Sequence, residues 1–184
     1  MVALYVILGL LVLLAMMVIG TYNGLVQIRE SVKNAWSQID VQLKRRHDLI
    51  PNLVEVAKGY MAHERQTLEN VTKARQMAVD ASSLKDRIAA ENMLTSTLRS
   101  LMAVAENYPN LKADTQMIRL HEELTTTENK ISFSRQFYND EVNRLNVAVQ
   151  SFPQNIIAGM FSFQKAEFFQ LDDAAERQAP QVKF

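Results

Sequence analysis

Residues 2–20 read VALYVILGLLVLLAMMVIG and residues 25–43 read LVQIRESVKNAWSQIDVQL, and the two stretches together decide the fold. The first carries no charge, and Tyr5 supplies its only hydroxyl. About 20 apolar residues cross a hydrocarbon core of roughly 30 Å, so the run is long enough to be a membrane anchor. Tyr5 lies near its outer end, where an aromatic ring suits the headgroup region. Val2, Leu8, Leu14 and Ile19 mark the length of that anchor. In the second stretch Leu25, Ile28, Val32, Trp36, Ile39 and Leu43 follow in steps of 3, 4, 4, 3 and 4. That rhythm places them on one face of a helix. Four residues, Thr21 to Gly24, separate the two stretches, and of these only Gly24 interrupts a helix, so the anchor is expected to run straight into the first helix of a folded domain.

A cleaved signal peptide needs a basic start and a small-x-small cleavage site. Nothing basic precedes the run, and Met16-Met17-Val18 is too bulky. The first cations, Arg29 and Lys33, follow the run, with Lys44, Arg45 and Arg46 behind them. The positive-inside rule then puts the N-terminus outside and the domain in the cytoplasm. Gly20 and Gly24 form a GxxxG pair at the membrane exit, a spacing that lets helices approach closely or simply loosens the chain there.

The rest of the composition points the same way. The 184 residues suit one domain, and 20 Lys+Arg against 20 Asp+Glu leave no net field to draw nucleic acid. Cysteine is absent, which removes disulfides, thiol nucleophiles and thiolate metal sites. Five glycines and four prolines are few, and residues with high helix propensity abound, so the expected class is all-α.

Four domain helices are legible after the anchor. The first ends in Lys44-Arg45-Arg46-His47, cations that suit a helix C-terminus. Asp48 then offers an N-cap and Pro51 suits a first turn, which predicts a tight turn at 48–51. The rival is one long helix kinked at Pro51, since the apolar rhythm continues through Ile50, Leu53 and Ala57. The second helix runs to about Val79, and Ser83 with Asp86 caps the third in a variant of the capping box. Ile88, Leu94, Leu98, Leu101 and Ala105 line the third, which stops before Tyr108-Pro109. The fourth carries Met117, Leu120, Leu124, Ile131, Tyr138, Val142, Leu145 and Val149 up to Phe152-Pro153.

Short connections make neighbours antiparallel, so the predicted architecture is an up-down four-helix bundle continuous with the transmembrane helix. The predicted organisation is an anchor over 1–21, a bundle over 22–152, an amphipathic and aromatic segment over 153–171, and a polar tail over 172–184. The aromatic segment holds Phe161, Phe163, Phe168 and Phe169. It is too short to span a bilayer and has three natural places: the membrane interface, the base of the bundle, or a neighbouring subunit.

Several motifs resemble the LemA family. They are Tyr22-Asn23, residues 36–43 (WSQIDVQL), residues 46–54 (RHDLIPNLV), residues 105–112 (AENYPNLK), residues 127–131 (TENKI), Tyr138-Asn139 and residues 152–155 (FPQN). They occur in family order from the anchor to about Phe169. The resemblance implies a single-pass bacterial membrane protein with a helical-bundle domain and no firmly assigned activity. It also implies the company of membrane metalloproteases or TPM-domain proteins, since family members are often encoded beside them.

The sequence gives little support for catalysis. His63-Glu64 and His121-Glu122 are each followed by threonine where a HExxH motif needs its second histidine, at Thr67 and Thr125. No glutamate stands three residues before a histidine, so the Glu-x-x-His of di-iron bundles is missing. No phosphate-binding glycine loop occurs, and no cofactor is expected.

Charges on core faces are more telling. Arg46 falls on the continued stripe of the first helix, and Glu128 and Arg135 on that of the fourth. A buried charge needs a partner. Arg46 is expected to meet Glu106 near the distal turn, and Glu128 to meet Arg75, Arg65 or another base of the second helix. The functional expectation is a membrane-anchored scaffold or interaction protein that forms a homo-oligomer. Gly20, Gly24 and the four C-terminal phenylalanines are its candidate interface, and the lipid bilayer is its first partner. Two alternatives are an adaptor of a membrane protease, and an enzyme or small-ligand sensor with a pocket between helices.

Overall fold

The structure, a computed structural model, describes residues 1–169. The predicted polar tail at 172–184 and the last residues of the aromatic segment lie outside them. Among the described residues the regular structure is entirely helical, in the order α1 (Val2–Tyr60), α2 (Arg65–Asp80), α3 (Leu84–Ala105), α4 (Pro109–Lys112), α5 (Thr115–Gln150) and α6 (Gln154–Met160).

The predicted turn at 48–51 does not form: α1 runs through it with Pro51 inside the helix. A proline in a helix interior lacks an N–H, and its ring crowds the carbonyl four residues back. Here that carbonyl belongs to His47, and Arg75 Nε of α2 donates to it at 2.7 Å. The apolar rhythm on this side of Pro51 stays buried, with Ile50, Leu53 and Ala57 all within the core. The chain turns instead at Met61–Glu64, where the Glu64 amide bonds the Met61 carbonyl at 3.0 Å. The predicted second helix is thus divided: residues 51–60 belong to α1, and α2 starts at Arg65.

The other breaks follow side-chain caps. The Ser83 hydroxyl accepts from the Asp86 amide at 3.0 Å and donates to the Asp86 carboxylate at 2.6 Å, as the capping pattern predicts. α3 closes at Ala105, and Pro109 occupies the first position of the short α4. Asp114 caps α5: its Oδ1 accepts from the amides of Gln116 and Met117 at 2.8 and 3.0 Å. The Tyr60 hydroxyl donates to the other oxygen at 3.0 Å. The Met117 amide and Tyr60 hold the Asp114 carboxyl below its ordinary value.

The chain divides into two compact units. One comprises Met1–Val41 and Ser132–Phe168. From Val2 to Met17 every large apolar side chain of α1 is at least half exposed. The helix is long and apolar enough there to cross a membrane, and none of that window is covered by the described chain. Beyond it, Leu25 packs with Ala148, Ile157, Ala158 and Phe163, against Val18, Tyr22, Val26, Ile28 and Val149. Trp36 meets the Tyr138 ring edge-on, with centroids 5.5 Å apart. After α6 the chain returns along α5 without regular structure. Asn146 grips Ala166 at both backbone atoms (3.0 and 2.9 Å), and the Tyr138 hydroxyl donates to the Glu167 carbonyl at 2.9 Å.

Ser162 ends α6 in the left-handed region, at φ 56°. The Phe163 amide then bonds the Ala158 carbonyl at 2.9 Å, closing a Schellman-type cap. A Cβ in this region costs about 1–2 kcal/mol. Ser162→Gly is therefore expected to stabilise the chain by about 1 kcal/mol, read as a shift of the urea midpoint in mild detergent. An unchanged or lowered midpoint would refute this.

The second unit comprises Gln42–Ile131 together with Phe169. Its core runs from Ile50, Leu53 and Met61 of α1 through Leu68 and Val71 of α2 and Leu94, Leu98 and Leu101 of α3 to Leu111, Met117 and Leu124. α2 doubles back along α1, as the Arg75 bond to His47 requires.

Candidate functional site: a buried ion-pair cluster

Among the described residues Arg46 is the largest fully buried side chain, at 1% exposure. Its position on the stripe of α1 sends it inward, four residues before Ile50 and three after Leu43. One guanidinium nitrogen donates to Thr95 Oγ1 at 2.8 Å and to Glu128 Oε1 at 2.6 Å. The other pairs with Glu91, which is 2% exposed. The second Glu91 oxygen meets His47 Nε2 at 2.8 Å. α1 thus supplies a cation and an imidazole, α3 a carboxylate and a hydroxyl, and α5 a second carboxylate.

The expected partners change accordingly. Arg46 does not pair with Glu106, which instead holds Lys112 at the surface. Glu128 binds Arg46, while Arg75 is engaged by the His47 carbonyl. Arg135 is half-buried on the Ser132–Gln150 part of α5, within the other unit. Glu91 and His47 are members that the sequence reading did not single out. Glu91 carries a visible signal, since residues 91, 94, 98, 101 and 105 keep the 3–4 rhythm of the α3 stripe.

Burial alone would raise the Glu91 carboxyl. The His47 hydrogen bond and the Arg46 charge outweigh it and hold the group below the ordinary glutamate value. A depressed value in the folded state means stability that is present above the unfolded value and lost as pH falls through the folded one. The acid limb of stability, below about pH 4.3, is therefore expected to flatten in Glu91→Gln. Urea midpoints measured between pH 3 and 7 check this; an unchanged acid limb would contradict it.

Chemically, the guanidinium is enclosed by two carboxylates and a hydroxyl, and one of the carboxylates is shared with His47. Arg46 Nε, Gln42 Oε1 and Asn92 Nδ2 are buried without a hydrogen-bond partner among the described residues. Among the described residues, no group of three His, Asp or Glu side chains is placed to hold a metal ion. A cleft of about 710 Å³ lies between the end of α1 and the start of α2, floored by Val54, Met61 and Leu68 and edged by Lys58, Arg65 and Lys73. Its lining includes none of the cluster residues.

Of the candidate interface, Gly20 and Gly24 are open: beyond the backbone of their own helix and their chain neighbours, no atom of the described residues lies within 4 Å of where a Cβ would stand. Phe163 and Phe169 are buried, whereas Phe161 and Phe168 remain 50% and 38% exposed. Phe163 is held between the Tyr22 ring, 5.8 Å away, and the Arg29 guanidinium, 5.1 Å from its centroid.

A profile of the LemA family matches residues 35–184. Magnetosome protein MamQ 2 of Paramagnetospirillum magneticum is 25% identical over 181 residues, covering 84% of this chain and 66% of the relative. Magnetosome protein MamQ of Magnetospirillum gryphiswaldense is 22% identical, covering 80% and 64%. Protein LemA of Metamycoplasma hominis is 24% identical, covering 84% and 71%. The chain thus spans slightly less than two thirds of the length of the magnetosome relatives.

Proposed function

This chain belongs to the LemA family, and on that footing we propose that it is a membrane-anchored helical scaffold that works by assembling with copies of itself. One observation carries the reading. α1 presents an uncovered apolar surface from Val2 to Met17 and continues unbroken into a packed domain in which the buried Arg46 is paired with carboxylates. A surface of that size is stable only in lipid or against another protein. Gly20 and Gly24 extend it with two positions open to a neighbouring helix. In this reading the helices of the domain form an up-down four-helix arrangement. The anchor sits in the bacterial inner membrane with its N-terminus outside, and the domain faces the cytoplasm.

Light scattering on the detergent-extracted protein tests the assembly. A protein mass that is a multiple of the 21.0 kDa protomer supports it, and Gly20→Leu with Gly24→Leu is expected to lower that multiple. A monodisperse monomer would overturn it, and stoichiometric co-purification with a membrane protease would replace it by an adaptor role. Sidedness is read by Asp140→Cys, since the chain has no cysteine of its own. Labelling of intact cells by an impermeant maleimide would reverse the orientation.

A further inference from the structure

We propose that α6 and its flanks form a second lipid contact, lying in the bilayer interface beside the anchor. The proposal rests on the anchor reading above. α6 is two-faced: Ile157 and Ala158 are buried in the core with Leu25, and Val18 and Tyr22 pack against that core. Its other face is bare. Phe152 is 80% exposed, Ile156 54%, Met160 70% and Phe161 50%.

Position decides what covers this face. Phe161 packs against Tyr22 with its ring tilted by 57° and the centroids 4.7 Å apart. Tyr22 stands two residues past Gly20, about 3 Å beyond the end of the apolar run at 1.5 Å per residue. The bare face is therefore level with the boundary between hydrocarbon and headgroups. Its chemistry fits that level. Residues 145–164 contain no charge, and the segment presents two phenylalanines, an isoleucine and a methionine. Short apolar faces of this kind are stabilised when they sink about 5–10 Å into the headgroup and acyl boundary. Val18 and Tyr22, at the end of the anchor, pack against the same core as α6, which holds the bare face beside the anchor's last turn. A lipid surface is the occupant already present at that depth.

The absence of cysteine gives a direct test. Full-length Met160→Cys, Leu14→Cys and Asn34→Cys, each carrying an environment-sensitive fluorophore, are reconstituted into phosphatidylcholine vesicles. The vesicles contain lipid with a nitroxide near the top of the acyl chain. Met160 is mostly exposed, so its replacement leaves the core intact. Quenching at position 160 comparable to that at 14, and several-fold above that at 34, is the expected result. Quenching at 14 without quenching at 160, with iodide reaching 160 from water, overturns the interfacial contact and leaves the anchor standing. Shielding of 160 from both quenchers, with disulfide formation between Met160→Cys protomers, overturns it in favour of a second copy. No quenching at either 14 or 160 overturns both readings.

Discussion

Arg46→Met is expected to lower the stability of the protein by about 3–5 kcal/mol, the cost of leaving buried carboxylate charge without its counter-ion. Glu91 is almost fully enclosed and Glu128 two thirds so. In the variant, only His47 remains at Glu91 among the partners described. The physical content lies in the comparison with a fuller replacement. When an entire buried ion pair is exchanged for apolar side chains of similar volume, the result is often neutral or stabilising. Arg46→Met combined with Glu91→Leu and Glu128→Leu is thus expected to recover most of the loss. Urea unfolding in mild detergent, followed by circular dichroism, measures both. A single variant within about 1 kcal/mol of the parent would show that the cluster is hydrated in solution. A triple variant as unstable as the single one would show that the carboxylates matter for reasons beyond this charge.

The same cluster shows what the sequence could and could not reveal. The 3–4 rhythm identifies Arg46 and Glu128 as charges on core faces, and both lie in the cluster. It also contains Glu91, three residues before Leu94, and applying the rule evenly to α3 would have found it. The pairing was not legible, because it depends on where the chain reverses. A turn at Pro51 puts Arg46 close to a helix end, where Glu106 is a natural neighbour. The turn lies at Met61–Glu64, so Arg46 sits about 20 Å from it and faces the middle of α3. A displacement of a dozen residues in one loop changes every long-range partner while leaving each stripe intact. The all-helical class and the anchor were legible because periodicity and apolar length are local. The Ser83 cap was legible for the same reason. The place of α6 beside α1 was not, because it is set by the packing of Phe161 on Tyr22, more than a hundred residues away in sequence.

The missed turn leads to the second large effect. Pro51 is tolerated inside α1 because Arg75 supplies the hydrogen bond that the proline cannot. A proline in a helix interior costs about 3 kcal/mol, partly through the carbonyl it leaves unpaired. A hydrogen bond from a charged donor to such a carbonyl is worth about 1.5–3 kcal/mol. Arg75→Met is therefore expected to destabilise the protein by about that amount. In a Pro51→Ala background the new amide bonds the His47 carbonyl itself, so the same substitution should cost about 1 kcal/mol less. Pro51→Ala alone is expected to raise the urea midpoint, since it removes the ring clash and restores a backbone bond. If Arg75→Met costs as much beside Ala as beside Pro, Arg75 acts elsewhere and the helix passes Pro51 for another reason. If the coupling is present, Pro51 and Arg75 operate as one device. The arginine reaches from α2 to the carbonyl that the proline frees in α1, and this fixes the register of the two helices. The Arg46 cluster depends on that register, because a slide of α2 against α1 would carry α3, and with it Glu91, away from the guanidinium.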